Sequence, residues 1–90
     1  MPLKLQRHKL FKKDIIKVKL ADTQYTKFII YVALLLEGKS LPVESRDHPL
    51  KGEWQRYREF HLGGDMLLIY LLDNDSLVLV RIGTHSQLFK

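Results

Sequence analysis

The C-terminal part of the chain, from Glu53 onwards, contains three strand-like segments separated by two short turn sequences, a pattern that restricts the fold strongly. Residues Glu53–His61 alternate between aromatic and polar side chains, Asp65–Leu72 are almost continuously apolar, and Leu77–Thr84 are rich in valine and leucine. The connections read "LGG" and "DNDS", which are compositions typical of β-hairpin turns. These segments predict three consecutive antiparallel strands, with the continuous apolar segment at the centre.

The first half of the chain has the periodicity of two helices. In His8–Leu20 the apolar side chains recur at spacings of four and three, which places them on one helix face: Phe11, Ile15 and Val18. A second helix is predicted to be capped by Asp22 or Thr23 and to end at Gly38. Two helices joined by so few residues predict an antiparallel hairpin.

Two segments complete the expected order of elements. Residues 3–7 alternate like a short strand, and residues 39–52 have the composition of a loop. The order β-α-α-β-β-β predicts an α+β fold with an antiparallel sheet and two helices packed on one of its faces. At 90 residues the chain is expected to form one domain, 1–90.

Charge and composition limit the possible partners and compartments. The net charge is +5, and residues 1–40 alone carry nine Lys/Arg against three Asp/Glu, a net of +6. Such a basic half indicates either a polyanionic or acidic partner or simply a solvated helix surface. The absence of cysteine excludes thiolate metal sites. Neither a signal peptide nor a membrane span is evident, so we expect a cytoplasmic protein with no membrane partner.

Three histidines and an aspartate stand at the edges of apolar segments. His48 lies in the predicted loop, His61 and Asp65 flank the "LGG" turn, and His85 follows the last strand. If the turn has three residues, His61 and Asp65 are opposed and share a face. If the turn is Gly63-Gly64 alone, His61 pairs with Met66 and Asp65 points away from it.

Alternation along the last strand predicts which side chains face the helices. An all-aliphatic row should pack on the helices: Val78, Val80 and Ile82. The opposite row contains Arg81 and His85, which should therefore lie on the open face of the sheet. A sheet face with a cation and imidazoles can receive an anionic substrate.

The polar residues permit more than one chemistry. Three histidines and an aspartate could bind zinc, but no pair of histidines has helical spacing and His48 lies on a loop. Histidine can also exchange protons near neutral pH, which suits acid–base catalysis. Each residue could equally be an ordinary surface side chain. The pattern favours a site without metal or other cofactor.

Three motifs together resemble one known family. The stretches "DHPLKGEWQRYREFH", "LLIY" and "RIGTHSQLF" closely resemble the YafQ-type toxins of the RelE/ParE superfamily, the toxin halves of bacterial type II toxin–antitoxin pairs. The resemblance implies a ribosome-dependent endoribonuclease that cleaves mRNA. It also implies a set of active-site positions: His48, His61, Asp65, His85 and Phe89, with Arg81 as a neighbouring basic residue. Arg58 also matches and could serve either the fold or the chemistry.

The resemblance suggests a division of roles among these residues. His85 would be the general acid and Asp65 or His61 the base, although the two roles could be exchanged. The other residues would stabilise charge or stack on the nucleotide: His48, Arg81 and Phe89. The implied partners are an acidic cognate antitoxin, the ribosome and its mRNA, with operator DNA bound only through the antitoxin complex. The alternatives are a non-enzymatic ParE-like inhibitor of DNA gyrase and a basic nucleic-acid-binding module.

Overall fold

The computed structural model describes residues 2–89 and contains the predicted elements in the predicted order, with four short elements added. These are a strand within the predicted loop 39–52, a helix after the last strand, and two single turns of 3-10 helix at Val43–Ser45 and Gly52–Trp54. In chain order the strands and α-helices are β1 (Lys4–Arg7), α1 (Lys9–Lys17), α2 (Asp22–Leu36), β2 (His48–Pro49), β3 (Tyr57–Gly63), β4 (Met66–Asp73), β5 (Ser76–Thr84) and α3 (His85–Leu88).

The five strands form one mixed sheet in the order β1-β5-β4-β3-β2. The pairs β2–β3, β3–β4 and β4–β5 are antiparallel, whereas β1 pairs with β5 in parallel. The predicted antiparallel sheet is thus correct for four strands and wrong for β1. The helical hairpin carries the chain from β1 at one edge to β2 at the other. Three reversals of direction then bring β5 back beside β1 with the same orientation.

The start of α2 differs from the prediction. The residue before its first turn is Ala21, so neither Asp22 nor Thr23 caps the helix. The side-chain oxygen of Gln24 instead accepts a hydrogen bond from the backbone N–H of Ala21 at 2.9 Å. A glutamine at the third helical position can satisfy a free N–H in this way even when the preceding side chain cannot accept one.

The end of α2 is fixed by a glycine, as predicted. Gly38 has a φ of 73°, a left-handed conformation that glycine adopts without steric cost. Its N–H donates to the carbonyl of Leu35 at 3.0 Å. Helix α1 ends three residues before the predicted Leu20, because the backbone is already extended at Val18. Within residues 2–89, no helix combines the length and apolarity needed to cross a bilayer.

Both long helices contribute to one core against the sheet, as predicted. Helix α1 buries Phe11, and α2 buries Tyr31, Val32 and Leu35. The ring of Tyr31 meets Phe60 edge-on, with 5.4 Å between the ring centroids. The strands supply the rest of this layer: Phe60, Leu62, Met66, Leu68, Tyr70, Leu77, Leu79 and Ile82. Each fully buried side chain of this size contributes about 1.5–3 kcal/mol of hydrophobic free energy.

A β-bulge at Val80 interrupts the alternation of β5. Ile69 of β4 pairs with Arg81, but the next residue, Tyr70, pairs with Leu79. Val80 is therefore an extra residue on β5, opposite no residue of β4. An extra residue reverses the order in which the following side chains face the two sides of the sheet.

The bulge changes which aliphatic residues face the helices. Leu77, Leu79 and Ile82 all belong to the core. Val78 and Val80 instead line a cleft on the opposite face of the sheet. The predicted packing is therefore correct for Ile82 and wrong for Val78 and Val80.

Candidate active site

Two histidines and a glutamate meet on the face of the sheet opposite α2. The pairing of β2 with β3 sets His48 opposite Glu59, and His61 follows two residues later on the same side of β3. The Nε2 atom of His48 lies 3.1 Å from Glu59 Oε2, and Nε2 of His61 lies 3.5 Å from the same oxygen. The two imidazole rings are 6.1 Å apart. His48 and His61 therefore lie side by side, with one carboxylate between them.

Glu59 was not among the predicted site residues. Only 8% of its side chain is exposed, against 48% for His48 and 23% for His61. A carboxylate so buried needs a charged or hydrogen-bonding partner, and the two imidazoles provide it. The signal was present in the sequence: a carboxylate two residues before a strand histidine must share its face.

The hydrogen bonds of His48 determine where its protons lie. Its Nδ1 atom is within hydrogen-bonding distance of the carbonyl oxygen of Arg46. A carbonyl can only accept, so Nδ1 must carry a proton and donate. The second nitrogen, Nε2, then faces Glu59 Oε2 at 3.1 Å. The two contacts together fix the orientation of the His48 ring.

The same three residues could also hold a metal ion. One ligand atom each from His48, Glu59 and His61 lies within 4.8 Å of the other two. Imidazole nitrogen and carboxylate oxygen are ligands for zinc and copper. The set considered from the sequence, three histidines and Asp65, is not this group. Among the described residues, His85 and Asp65 do not belong to it.

Asp65 lies with Gly64 in the two-residue tip of the β3–β4 hairpin. His61 pairs with Leu67, and Gly63 pairs with Met66. Both predicted registers for this hairpin are therefore wrong. The side chain of Asp65 is exposed at the tip and does not lie opposite His61.

An irregularity at the end of β3 explains the unexpected register. Leu62 is an extra residue between two successive pairs of the ladder. Gly63 and Gly64 follow with φ angles of 113° and 58°, which only glycine adopts without appreciable strain. The turn sequence therefore permits a tight reversal that its length alone does not predict.

Asp65, His85 and Phe89 come together at the other end of this face. The backbone N–H of His85 donates to the carbonyl oxygen of Asp65 at 3.2 Å. The rings of His85 and Phe89, one helical turn apart, have centroids 5.0 Å from each other. Both side chains are exposed. An aromatic and an imidazole are thus available to a ligand beside the hairpin tip.

The sheet register relates this second group to the first. His61 pairs with Leu67, which in turn pairs with Gly83 of β5. Neighbouring strands are about 4.8 Å apart, so Gly83 lies about 10 Å from His61 across the sheet. His85 follows Gly83 by two residues. The two groups therefore lie on either side of β4, about two strand spacings apart.

Arg81 is held by an ion pair rather than left free. Its Nε and Nη2 atoms donate to the carboxylate of Asp14 in α1 at 2.7 and 3.0 Å. Burial opposes the charge of Asp14, yet the hydrogen bonds from Arg81 and from the N–H of Ile82 hold the pKa of this carboxyl below its ordinary value. Arg81 also borders the cleft on the open face. Its predicted contact with a substrate stays a prediction.

The open face of the sheet carries a cleft of about 620 Å³. Trp54, Tyr57 and Phe89 are the aromatic residues of its lining, and Arg81 supplies a cation. The indole of Trp54 and the ring of Tyr57 are 5.8 Å apart and inclined to each other. A concave surface with aromatic walls and few polar groups can accept a nucleobase or an apolar side chain.

Residues 3–90 match the profile of a family described as "Bacterial toxin of type II toxin-antitoxin system, YafQ". The mRNA interferase toxin YafQ of Escherichia coli K12 is 40% identical over 76 residues, which are 80% of this chain and 83% of the relative.

Solved structures give the same result. In the E. coli DinJ–YafQ complex a chain superimposes with a TM-score of 0.84 at 31% identity, covering 98% of this chain and 99% of that one. A copper-bound mutant toxin of Helicobacter pylori has a TM-score of 0.83 at 38% identity, covering 97% of this chain and 99% of that one. The chain therefore belongs to the YafQ family of bacterial type II toxins.

Proposed function

We propose that residues 1–90 act as the toxin of a toxin–antitoxin pair and cleave mRNA in the decoding site of the ribosome. The observation that carries the proposal is the cluster of His48, Glu59 and His61, in which two imidazoles share one buried carboxylate. Cleavage of a phosphodiester by proton transfer requires groups of this kind. Family membership supports the same function, since the E. coli relative is named an mRNA interferase toxin.

The proposed reaction consists of two proton transfers around one displacement at phosphorus. A base removes the proton of the ribose 2′-OH, and the 2′-oxygen forms a bond to the adjacent phosphorus. The bond from phosphorus to the 5′-oxygen breaks, and an acid protonates the leaving oxygen. The products carry a 2′,3′-cyclic phosphate and a 5′-OH. Positioned acids and bases each contribute about 10²–10⁴ to the rate of such a step.

His61 is the better supported of the two candidate bases. Its Nε2 lies close to Glu59, which can stabilise the imidazolium formed when His61 takes a proton. Asp65 lies in an exposed turn and has no such partner among the hydrogen bonds of residues 2–89. His85, on the opposite side of the surface, remains the proposed acid.

The other residues bind rather than transfer protons. His48, when protonated, places positive charge beside the reacting phosphate, and Glu59 keeps that charge in place. Arg81 adds a second cation at the border of the cleft. Phe89, with its ring beside His85, would stack on a base and orient the nucleotide.

We propose that the reaction needs no metal, because these side chains can supply the base, the acid and the positive charge. A transition metal would have a different effect. One H. pylori toxin was solved with copper bound, and here the group with metal-ligand spacing is His48, Glu59 and His61. A metal on these residues would occupy the nitrogens that the reaction uses.

The proposed partner is an acidic antitoxin. The E. coli relative was solved in complex with DinJ. In this chain the four lysines of α1 are exposed: Lys9, Lys12, Lys13 and Lys17. Acidic segments of an antitoxin would bind there, or the same lysines would contact ribosomal RNA. Operator DNA would be bound through the antitoxin, and the toxin would act in the cytoplasm.

Expression in growing cells with mapping of mRNA 5′ ends tests the proposed function. We expect the wild type to stop growth and to produce new 5′-OH ends within translated codons. His85→Ala should abolish both effects, whereas Ser86→Ala, a neighbouring exposed position on α3, should not. Circular dichroism of both variants controls for folding.

The same experiment separates the alternative functions. A ParE-like inhibitor would arrest growth without producing new mRNA ends, because it has no need of proton-transfer groups. A basic nucleic-acid-binding module would act equally well with His85 replaced, and it would lose its effect when the lysines of α1 are neutralised. Either result would contradict the proposed nuclease activity.

A further inference from the structure

We propose that Asp47, Arg58 and Tyr70 form a positioning network that holds the imidazole of His48 against Glu59 from the other side of the sheet. The three are positioning residues, because none of them lies on the face that carries the histidines. The inference rests on the proposed function, in which His48 stabilises charge. It assigns a role to Arg58, which the sequence left open between fold and chemistry.

The network is a closed triangle of hydrogen bonds. The hydroxyl of Tyr70 donates to Asp47 Oδ1 at 2.6 Å, and Arg58 Nε lies 3.2 Å from both that oxygen and the Tyr70 hydroxyl. Tyr70 is completely buried, and 20% of the Asp47 side chain is exposed. Burial and the hydrogen bond to Asp47 raise the pKa of Tyr70. Its phenol therefore stays protonated and remains a donor.

Because Asp47 directly precedes His48, the hydrogen bonds that hold Asp47 also restrict the position of His48. Successive residues of a strand point to opposite faces, so fixing Asp47 on the core side fixes His48 on the active-site side. Strand β2 has only two residues and lies at the edge of the sheet. Its second residue, Pro49, has no N–H to donate. The side chain of Asp47 thus provides an attachment that the short backbone ladder cannot.

The residue before Asp47 also needs to be held in place. Arg46 has a φ of 52°, a left-handed conformation that is unfavourable for a residue with a side chain. Its carbonyl oxygen accepts the hydrogen bond from His48 Nδ1. If Asp47 loses its hydrogen bonds, the backbone of Arg46 can leave the left-handed conformation and its carbonyl can turn away from His48. His48 then loses the hydrogen bond that fixes its tautomer.

Replacing Tyr70 with phenylalanine tests the proposal, because the ring keeps its packing while the 2.6 Å hydrogen bond to Asp47 is lost. We expect kcat for mRNA cleavage on ribosomes to fall about 10- to 100-fold with KM unchanged. In ¹⁵N spectra the two ring nitrogens of His48 should move towards averaged shifts. Asp47→Asn should give the same changes.

Tyr31→Phe is the matched control. Tyr31 is a second buried tyrosine whose ring also packs on Phe60, and it makes no hydrogen bond to the network. It should leave kcat and the His48 spectrum unchanged. A fall in melting temperature for Tyr70→Phe with wild-type kcat and an unchanged His48 spectrum would overturn the proposal.

The two proposals can fail separately. If wild-type protein does not cleave mRNA, the proposed function is wrong. The His48 spectra of Tyr70→Phe and Asp47→Asn then decide the positioning role: a changed tautomer pattern supports it, and an unchanged one overturns it.

Discussion

Replacing Asp14 with asparagine tests whether the ion pair to Arg81 attaches α1 to the sheet. The Asp14 carboxylate accepts hydrogen bonds from Arg81 Nε at 2.7 Å, from Arg81 Nη2 at 3.0 Å and from the backbone N–H of Ile82 at 3.2 Å. Asparagine has nearly the same shape but no charge. Its amide nitrogen would also face one of these donors, so at least one hydrogen bond is lost.

The expected loss of stability follows from the burial of the pair. The Asp14 side chain is 15% exposed and that of Arg81 is 32% exposed. Hydrogen bonds to charged groups contribute about 1.5–3 kcal/mol when buried, and exposed ion pairs about 0–1 kcal/mol. For this partly buried pair we expect a loss of about 2 kcal/mol. In a domain of this size that corresponds to a fall in melting temperature of about 8–16 °C.

The contribution of Asp14 should depend on pH in a defined direction. The folded state lowers the pKa of Asp14 below its ordinary value of 3.8. Folding therefore favours the ionised carboxyl, and this stabilisation is complete above the ordinary value. It is lost as the pH falls through the lowered pKa of the folded state. The wild type and Asp14→Asn should thus differ at pH 7 and converge in acid.

Urea unfolding of both proteins at pH 7 and at several acidic pH values measures the difference. Asp75→Asn is the control, because Asp75 forms an ion pair with Lys4 in which both side chains are about three-quarters exposed. This control should change stability by less than about 0.5 kcal/mol. Equal stability of Asp14→Asn and wild type at pH 7, or a difference that does not change in acid, would refute the reasoning.

Three further predictions concern the site and its partners. Glu59→Gln should keep the fold but reduce the rate of mRNA cleavage on ribosomes about 10²-fold or more, because His48 and His61 lose the negative charge of the carboxylate between them. A wild-type rate for this variant would exclude Glu59 from the site. Chelation of transition metals with magnesium retained should leave cleavage unchanged, whereas excess copper or zinc should inhibit it; activity restored by zinc after chelation would instead indicate a metal enzyme. The rate of association with an acidic antitoxin should fall with rising salt and when the lysines of α1 are neutralised. Neutralising Lys39 and Lys51, which lie outside α1, is the control and should leave the rate unchanged. If neither salt nor neutralisation of the α1 lysines changes the rate, the antitoxin binds elsewhere.

Local patterns in the sequence were sufficient to predict most of the elements. The spacing of Phe11 and Ile15 predicted α1, Gly38 predicted the end of α2, and the two turn sequences predicted the three long strands. These features depend on backbone preferences and on side chains near each other in the chain. Strand β2 was missed because two residues in a loop show no periodicity.

Register depends on contacts that local patterns do not encode. One extra residue at Val80 and another at Leu62 shift the pairing of whole strands. Nothing in the composition of an aliphatic strand distinguishes a bulged residue from its neighbours, so the face of Val78 was predicted wrongly. Asp65 was misplaced for the same reason. Glu59 could have been found, because its spacing from His61 is independent of any bulge.

The parallel pairing of β1 with β5 has a consequence for the order of folding. Lys4 pairs with Ser76, so the first strand has no partner until almost the whole chain is available. The hairpins β3–β4 and β4–β5 close over only a few residues, and their loop-closure entropy is correspondingly small. The hairpins should therefore form early and β1 late. In pulse-labelling hydrogen exchange, amide protection of β1 is expected to appear last, after the surface that carries His61 has already formed.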